Sequence, residues 1–153
     1  MKKIAGLLFI SILIPFLGLA CSCIGEETVK DAIKKADVVL VGRVIKSEQF
    51  EIPSALPKYK MYRIRHTLSI QKLYKGKIKT EKIEIITGVG NGDCGFQFQE
   101  GEVYIIYSNW ESKYHNYSEP VEIFLTTNIC TRTTKLNQAE VAQIESFKKA
   151  KKF

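Results

Sequence analysis

Two cysteines one residue apart, Cys21 and Cys23, follow directly on an apolar leader, and the other two of the chain, Cys94 and Cys130, lie far downstream. Met1-Lys2-Lys3 is a short positive start, and residues 4–17 are apolar apart from Gly6, Ser11 and Pro15. Gly18 and Ala20 then supply the small residues that a signal peptidase reads at positions −3 and −1. The apolar run is about 14 residues, whereas a membrane span needs roughly 20. The expected organisation is therefore a signal peptide over residues 1–20 and a single domain over residues 21–153, with no transmembrane span in the mature chain. Cleavage after Ala20 would leave Cys21 as a new N-terminus with a free α-amine.

A lipoprotein peptidase also cuts before a cysteine, and it would leave Cys21 as a lipid anchor at the cell envelope. Gly18 stands where such signals usually carry leucine. Cysteine parity favours the free terminus, because exported chains pair their cysteines and lipidation would leave an odd number. Spacing alone leaves all three pairings of four cysteines open. A four-thiolate zinc site is the rival use of the same residues. The expected location is secreted or periplasmic, with the lipid-anchored form as alternative.

Loss of Lys2 and Lys3 lowers the formal charge from +7 to +5, which favours acidic surfaces without naming one. Lys148, Lys149, Lys151 and Lys152 read first as a solvated helix end that complements the helix dipole, and second as a contact for a polyanion or cell surface.

Residues 27–36 carry helical spacing in Val29, Ala32, Ile33 and Ala36, with Thr28 as cap and Asp31 three residues on. Residues 38–45 read as a strand, opened for close packing at Gly42. The segment 48–58, with Pro53 and Pro57, reads as a long loop and a candidate contact surface. Residues 59–74 alternate, with Tyr62, Ile64, Leu68 and Ile70 on one side. Further strands are expected at 81–87, 102–109 and 121–127, and a helix capped by Asn137 through about Lys149, with Val141, Ile144 and Phe147 on its apolar side. The Gly-x-Gly-x-Gly at 88–92 is not read as a phosphate loop, since no helix pattern follows it. The expected fold is mainly β: a five-stranded, closed or partly open barrel of the OB-fold type, with a short N-terminal helix and a C-terminal helix. Pattern alone also allows a sandwich.

At this point the chain resembles the inhibitory domain of the tissue inhibitors of metalloproteinases (TIMPs), a netrin-like module built on that barrel. The resemblance lies in Cys21-Ser22-Cys23, in Ala36-Asp37-Val38-Val39 leading to Gly42, and in Tyr62-Arg63-Ile64 continuing to Lys72-Leu73-Tyr74-Lys75-Gly76. It extends through Cys94-Gly95, Gly101-Glu102-Val103-Tyr104 and Cys130, spanning about residues 21–135. It implies the disulfides Cys21–Cys94 and Cys23–Cys130. A loop of about 74 residues so closed would stabilise by roughly 4 kcal/mol in the chain-entropy model.

The resemblance further implies a secreted inhibitor of zinc metalloendopeptidases. The α-amine and carbonyl oxygen of Cys21 would chelate the target's catalytic zinc, and Ser22 would enter the pocket for the residue after the scissile bond. Asn91, Gly92 and Asp93, tied to the strip through Cys94, would form a second contact with Cys23 beside them, and the 48–58 loop a third. Zinc would enter only as part of the target, with no cofactor of the chain's own.

The alternative is a non-inhibitory netrin-like binding module, anchored through Cys21. A single-stranded nucleic-acid binder would suit the barrel class, the charge and Tyr59, Tyr62 and Tyr74, but export and paired cysteines argue against nucleic acid as a partner. No enzyme is expected: the two histidines, His66 and His115, stand in no zinc-protease or triad arrangement. His66 falls in apolar register as a hydrogen-bonding residue, and His115 lies in a polar loop. Asn116-Tyr117-Ser118 matches a glycosylation sequon.

Overall fold

A computed structural model describes residues 21, 23, 25, 27–52, 58–90, 92–112 and 123–151. Residues 1–20, Ser22, Asn91, residues 53–57 and the 113–122 segment with His115 and the sequon lie outside them.

Helix α1 (Val29–Lys35) starts where the spacing places it. The Thr28 hydroxyl oxygen accepts the Asp31 N–H at 3.2 Å and the hydroxyl meets the Asp31 carboxylate at 2.6 Å, a box that satisfies the first-turn donor. At the other end the Lys75 ammonium donates to the carbonyls of Ile33, Lys34 and Ala36 at 2.8, 3.0 and 2.5 Å. A cation there satisfies orphan carbonyls and complements the dipole.

Among the described residues six strands follow: β1 (Val38–Ile52), β2 (Met61–Lys75), β3 (Lys82–Thr87), β4 (Val103–Ser112), β5 (Ile123–Thr126) and β6 (Thr134–Lys135). Helix α2 (Gln138–Lys151) is the last element of the described residues, capped by Asn137, whose side-chain oxygen accepts the Ala139 N–H at 2.9 Å. The pairings β1–β2, β2–β3, β3–β5, β5–β4 and β4–β1 close a ring of five strands, barrel-like and of the OB type, with β3–β5 parallel and the other four antiparallel. The two-residue β6 is an addition to the five strands expected, paired with β4 outside the ring.

β1 is longer than its apolar run suggests. Residues 48–52, expected as loop, continue the strand, with Glu48 opposite Arg65, Phe50 opposite Arg63 and Ile52 opposite Met61. Cross-strand side chains hold this ribbon: the Arg65 guanidinium stacks over Phe50 at 4.8 Å and Lys60 meets Glu51 at 3.0 Å. Polar residues concealed the strand because Glu48, Gln49 and Glu51 are exposed, and only Phe50 and Ile52 are half-buried or buried.

The apolar runs of β1 and β4 have a different origin. Val38, Leu40, Tyr104 and Ile106 point into the ring with Leu68, Ile85 and Leu125. Val39, Val41, Ile105 and Tyr107 point outward and are covered by α1 and by Ile144 of α2. Both faces are buried, so both registers are hydrophobic.

His66 sits inside the ring at 1% exposure. Its Nδ1 lies 2.8 Å from the Ser47 hydroxyl and its Nε2 3.1 Å from that of Thr87, with the Phe98 ring edge-on at 4.8 Å. Burial lowers its pKa to about 4, against a smaller opposing pull from Glu100.

Candidate functional site

Beyond Thr87 the chain leaves the ring and folds around one carboxylate. Asp93 Oδ1 accepts the N–H groups of Gly90 and Gly95 at 2.8 and 3.1 Å, and Oδ2 accepts that of Val89 at 2.8 Å. Burial pushes the Asp93 carboxyl up, but these three donors and the nearby Arg63 charge outweigh it and leave the pKa lowered. Room for the arrangement comes from glycine. A Cβ on Gly88 would lie 2.3 Å from the Asp93 carboxylate, and one on Gly95 2.2 Å from the Gly88 carbonyl oxygen. The glycine-rich run thus turns amides toward its own carboxylate.

Cys94 follows with φ +57°, left-handed for a residue with a side chain. Its carbonyl accepts the Ile129 N–H at 3.0 Å, and Gly95 bridges to Asn128. The second loop is braced in a similar way: Asn128 Oδ1 accepts the N–H groups of Cys130 and Thr131 at 2.8 and 3.1 Å. Thr127 donates its hydroxyl to the Tyr107 carbonyl at 2.9 Å, tying this loop to the sheet. The two loops that carry Cys94 and Cys130 therefore lie side by side.

Onto them the start of the domain is fastened by two disulfides, Cys21–Cys94 and Cys23–Cys130, with Cα separations of 5.6 and 5.2 Å. These are the pairs that the resemblance implies, and with no free cysteine the chain has no thiolate for a four-cysteine zinc site. Cys21 Sγ lies 3.7 Å from the Gly92 carbonyl oxygen. Cys21, Cys23, Gly92 and Asp93 thus share one edge, whereas Ser22 and Asn91 lie outside the described residues. Asp93 serves as the internal brace of its loop.

The β1–β2 ribbon extends on the same side. Ile64 of β2 pairs with Thr87, the last residue of β3, and the ladder continues outward to Ile52 opposite Met61. The arm therefore projects past the point where β3 hands the chain to the Gly88–Cys94 loop.

Three residues of this region are not legible as site residues in the sequence. Ile129, next to Cys130 in the second bridged loop, is 46% exposed. Arg132 donates through Nη1 to the Glu27 carbonyl at 2.5 Å, clamping the end of the strip. Glu140 holds that guanidinium at both oxygens, 3.0 and 3.1 Å, and accepts the Tyr107 hydroxyl at 2.9 Å. Burial, then the Glu140 hydrogen bond, raises the Tyr107 pKa. One signal was available: Glu140 stands four residues before Ile144, on the apolar side of α2, where a carboxylate needs a partner.

Among the described residues no cluster of three or more His, Cys, Asp or Glu side chains is placed to hold a metal ion, and no helix is long and apolar enough to cross a membrane.

A ring of five strands whose N-terminal strip is bridged to two adjoining loops defines a small OB-like domain with one rigid, disulfide-bound edge. Residues 19–150 match the family described as tissue inhibitor of metalloproteinase, and the chain belongs to that family. No curated protein matches it significantly. Membership implies a secreted metalloproteinase inhibitor, with metalloproteinases as partners, and not an enzyme.

Proposed function

We propose that the exported chain, cut after Ala20, inhibits zinc metalloendopeptidases by presenting the α-amine and carbonyl oxygen of Cys21 to the catalytic zinc. The observation that carries this reading is the double anchorage: Cys21 and Cys23 are bridged to two loops that are themselves hydrogen-bonded together. A strip ordered before binding loses little conformational freedom on binding. In this reading Ser22 enters the neighbouring specificity pocket, Asn91 and Gly92 flank it, and Ile129 and the β1–β2 arm extend the contact. Asp93 and Cys23 hold these parts in place.

The amine must be neutral to donate its lone pair. A free α-amine has a pKa of about 7.7–8.0, so inhibition should strengthen as pH rises toward 8 and weaken below 7. Zinc belongs to the target, and the chain requires no cofactor. Lipid anchorage through Cys21 would use the sulfur that the bridge to Cys94 occupies, which supports a free terminus and a secreted or periplasmic protein.

The deciding experiment adds one alanine before Cys21. Inhibition of a panel of zinc endopeptidases should be lost while both disulfides and the thermal transition persist; undiminished inhibition would rule chelation out. Ser22→Gly should shift selectivity within the panel, and an unchanged profile would remove Ser22 from the contact. A diacylglyceryl mass on Cys21 of the exported protein would instead establish a surface-anchored binding module.

A further inference from the structure

A recess lies at the other end of β2. Its apolar wall is formed by Ile33 of α1, Tyr74 of β2, and Ile144 and Phe147 of α2, and its volume is about 480 Å³, within the usual range of small-ligand pockets. Ile33 and Ile144 are buried, while Tyr74 and Phe147 remain half-buried, so part of the wall still faces water. From Ile64, at the disulfide-bound edge, to Tyr74 is ten residues of strand, roughly 33 Å when extended. The recess therefore opens at the far end of β2 from Ile64.

The charges around its mouth are unevenly matched. Lys77 and Lys148 lie on the lining and are exposed, and neither has an ion-pair partner among the described residues. Lys75 is already engaged by the α1 carbonyls, and Lys72 is paired with Glu145. Asp37 is the acid on the lining, and its Oδ2 accepts the Trp110 N–H at 3.0 Å. An apolar hollow with two uncompensated ammonium groups at its rim suits a ligand with an apolar body and an anionic head.

We propose that the recess between α1, the end of β2 and α2 binds a single-chain amphipathic anion, its hydrocarbon against Tyr74, Ile144 and Phe147 and its head between Lys77 and Lys148. Desolvation of the half-buried rings favours the chain, and the lysines select a carboxylate or phosphate head over a neutral one. Because the recess and the disulfide-bound edge lie at different ends of β2, an occupant leaves Cys21 accessible. The inference does not depend on protease inhibition.

The test is calorimetric titration of the disulfide-bonded protein with decanoate and with decyl phosphate, below their micelle concentrations, alongside 1-decanol and inorganic phosphate. Saturable one-to-one binding of both anions is expected, at least tenfold tighter than decanol, with no binding of phosphate. K77E/K148E, at exposed positions, should weaken the anions at least tenfold and leave decanol unchanged. Phe147→Ala should weaken all chain-bearing ligands several-fold, with retained far-UV circular dichroism as the folding control. Equal affinity of wild type and K77E/K148E, or of decanoate and decanol, would overturn the proposal. So would binding only to anionic phospholipid vesicles, which would indicate a membrane-facing patch, or protein dimerisation that closes the recess to every ligand.

Discussion

The disulfide-bound edge and the five-stranded ring are held together by different physics, although they share β3, β4 and β5. The ring is an apolar structure: residues 38–41 of β1 and 104–107 of β4 are buried on both faces, and hydrocarbon packing fixes their register. The edge has little hydrocarbon to bury. It is fixed by two covalent bridges, by the Asp93 carboxylate gathering three backbone N–H groups, and by Asn128 gathering two. Under the proposed function this edge meets the target, and a surface that meets a partner cannot be held by packing that consumes that surface. Cross-links and local hydrogen bonds leave the outer face available while keeping it rigid.

Perturbations should therefore separate the two regions. The largest loss is expected from Cys23→Ser/Cys130→Ser, which opens the longer bridge, spanning 107 residues of sequence. In the chain-entropy model it stabilises by about 5 kcal/mol, so denaturant unfolding should show a drop of that order, with sheet signal retained in the folded fraction. An unchanged midpoint would mean that the edge contributes nothing to global stability.

Next in size is Arg132→Ala, which leaves the Glu140 carboxylate buried without its ion-pair partner and should cost about 3–5 kcal/mol. Arg132→Lys keeps the charge but loses the fork, and should weaken protease inhibition more than it lowers the melting temperature. Parallel losses would assign Arg132 to stability alone.

Acid should strike the ring before the edge brace. His66 has its pKa lowered to about 4 in the folded protein from the ordinary imidazole value of 6.5, so the unfolded chain takes up a proton that the folded one refuses. The stability this provides is present above pH 6.5 and is lost as pH falls toward 4, about 3 kcal/mol in all. His66→Gln should flatten stability over that window, as followed by chemical denaturation at stepped pH. Asp93, with its pKa lowered below 3.8, loses its contribution only at still lower pH.

The smallest global effect is expected from Asp93→Ala, which removes the acceptor of three N–H groups near solvent, at about 1–2 kcal/mol. Hydrogen exchange at Val89, Gly90 and Gly95 should rise sharply while the ring amides stay protected. Uniform acceleration throughout the domain would show that edge and ring unfold as one unit.

The strands of the ring were readable because β-branched alternation marks them, and α1 because Thr28 and Asp31 spell its cap. The outer half of β1 was not, since Glu48 to Ile52 alternate polar residues that pair only with β2. The geometry of the candidate edge was legible in part. Cys21, Cys23, Gly92 and Asp93, contact residues that the resemblance implies, do lie on one edge, but the Asp93 carboxylate is turned inward onto its own loop, and the Arg132–Glu140 clamp depends on residues brought together from β4, a loop and α2.

What the sequence determined by itself is the list of local and covalent possibilities: an apolar N-terminal run, four cysteines, helix caps, alternating strands, and the ordered motifs of the family. Local propensity and residue order are written along the chain, so they can be read there. Only the tertiary structure decided which loops adjoin, that Gly88 and Gly95 make room for a carboxylate and a carbonyl, and that a lysine-rimmed recess opens between two helices far apart in sequence. Those outcomes follow from ring closure, which sets distances between residues whose separation along the chain carries no information about them.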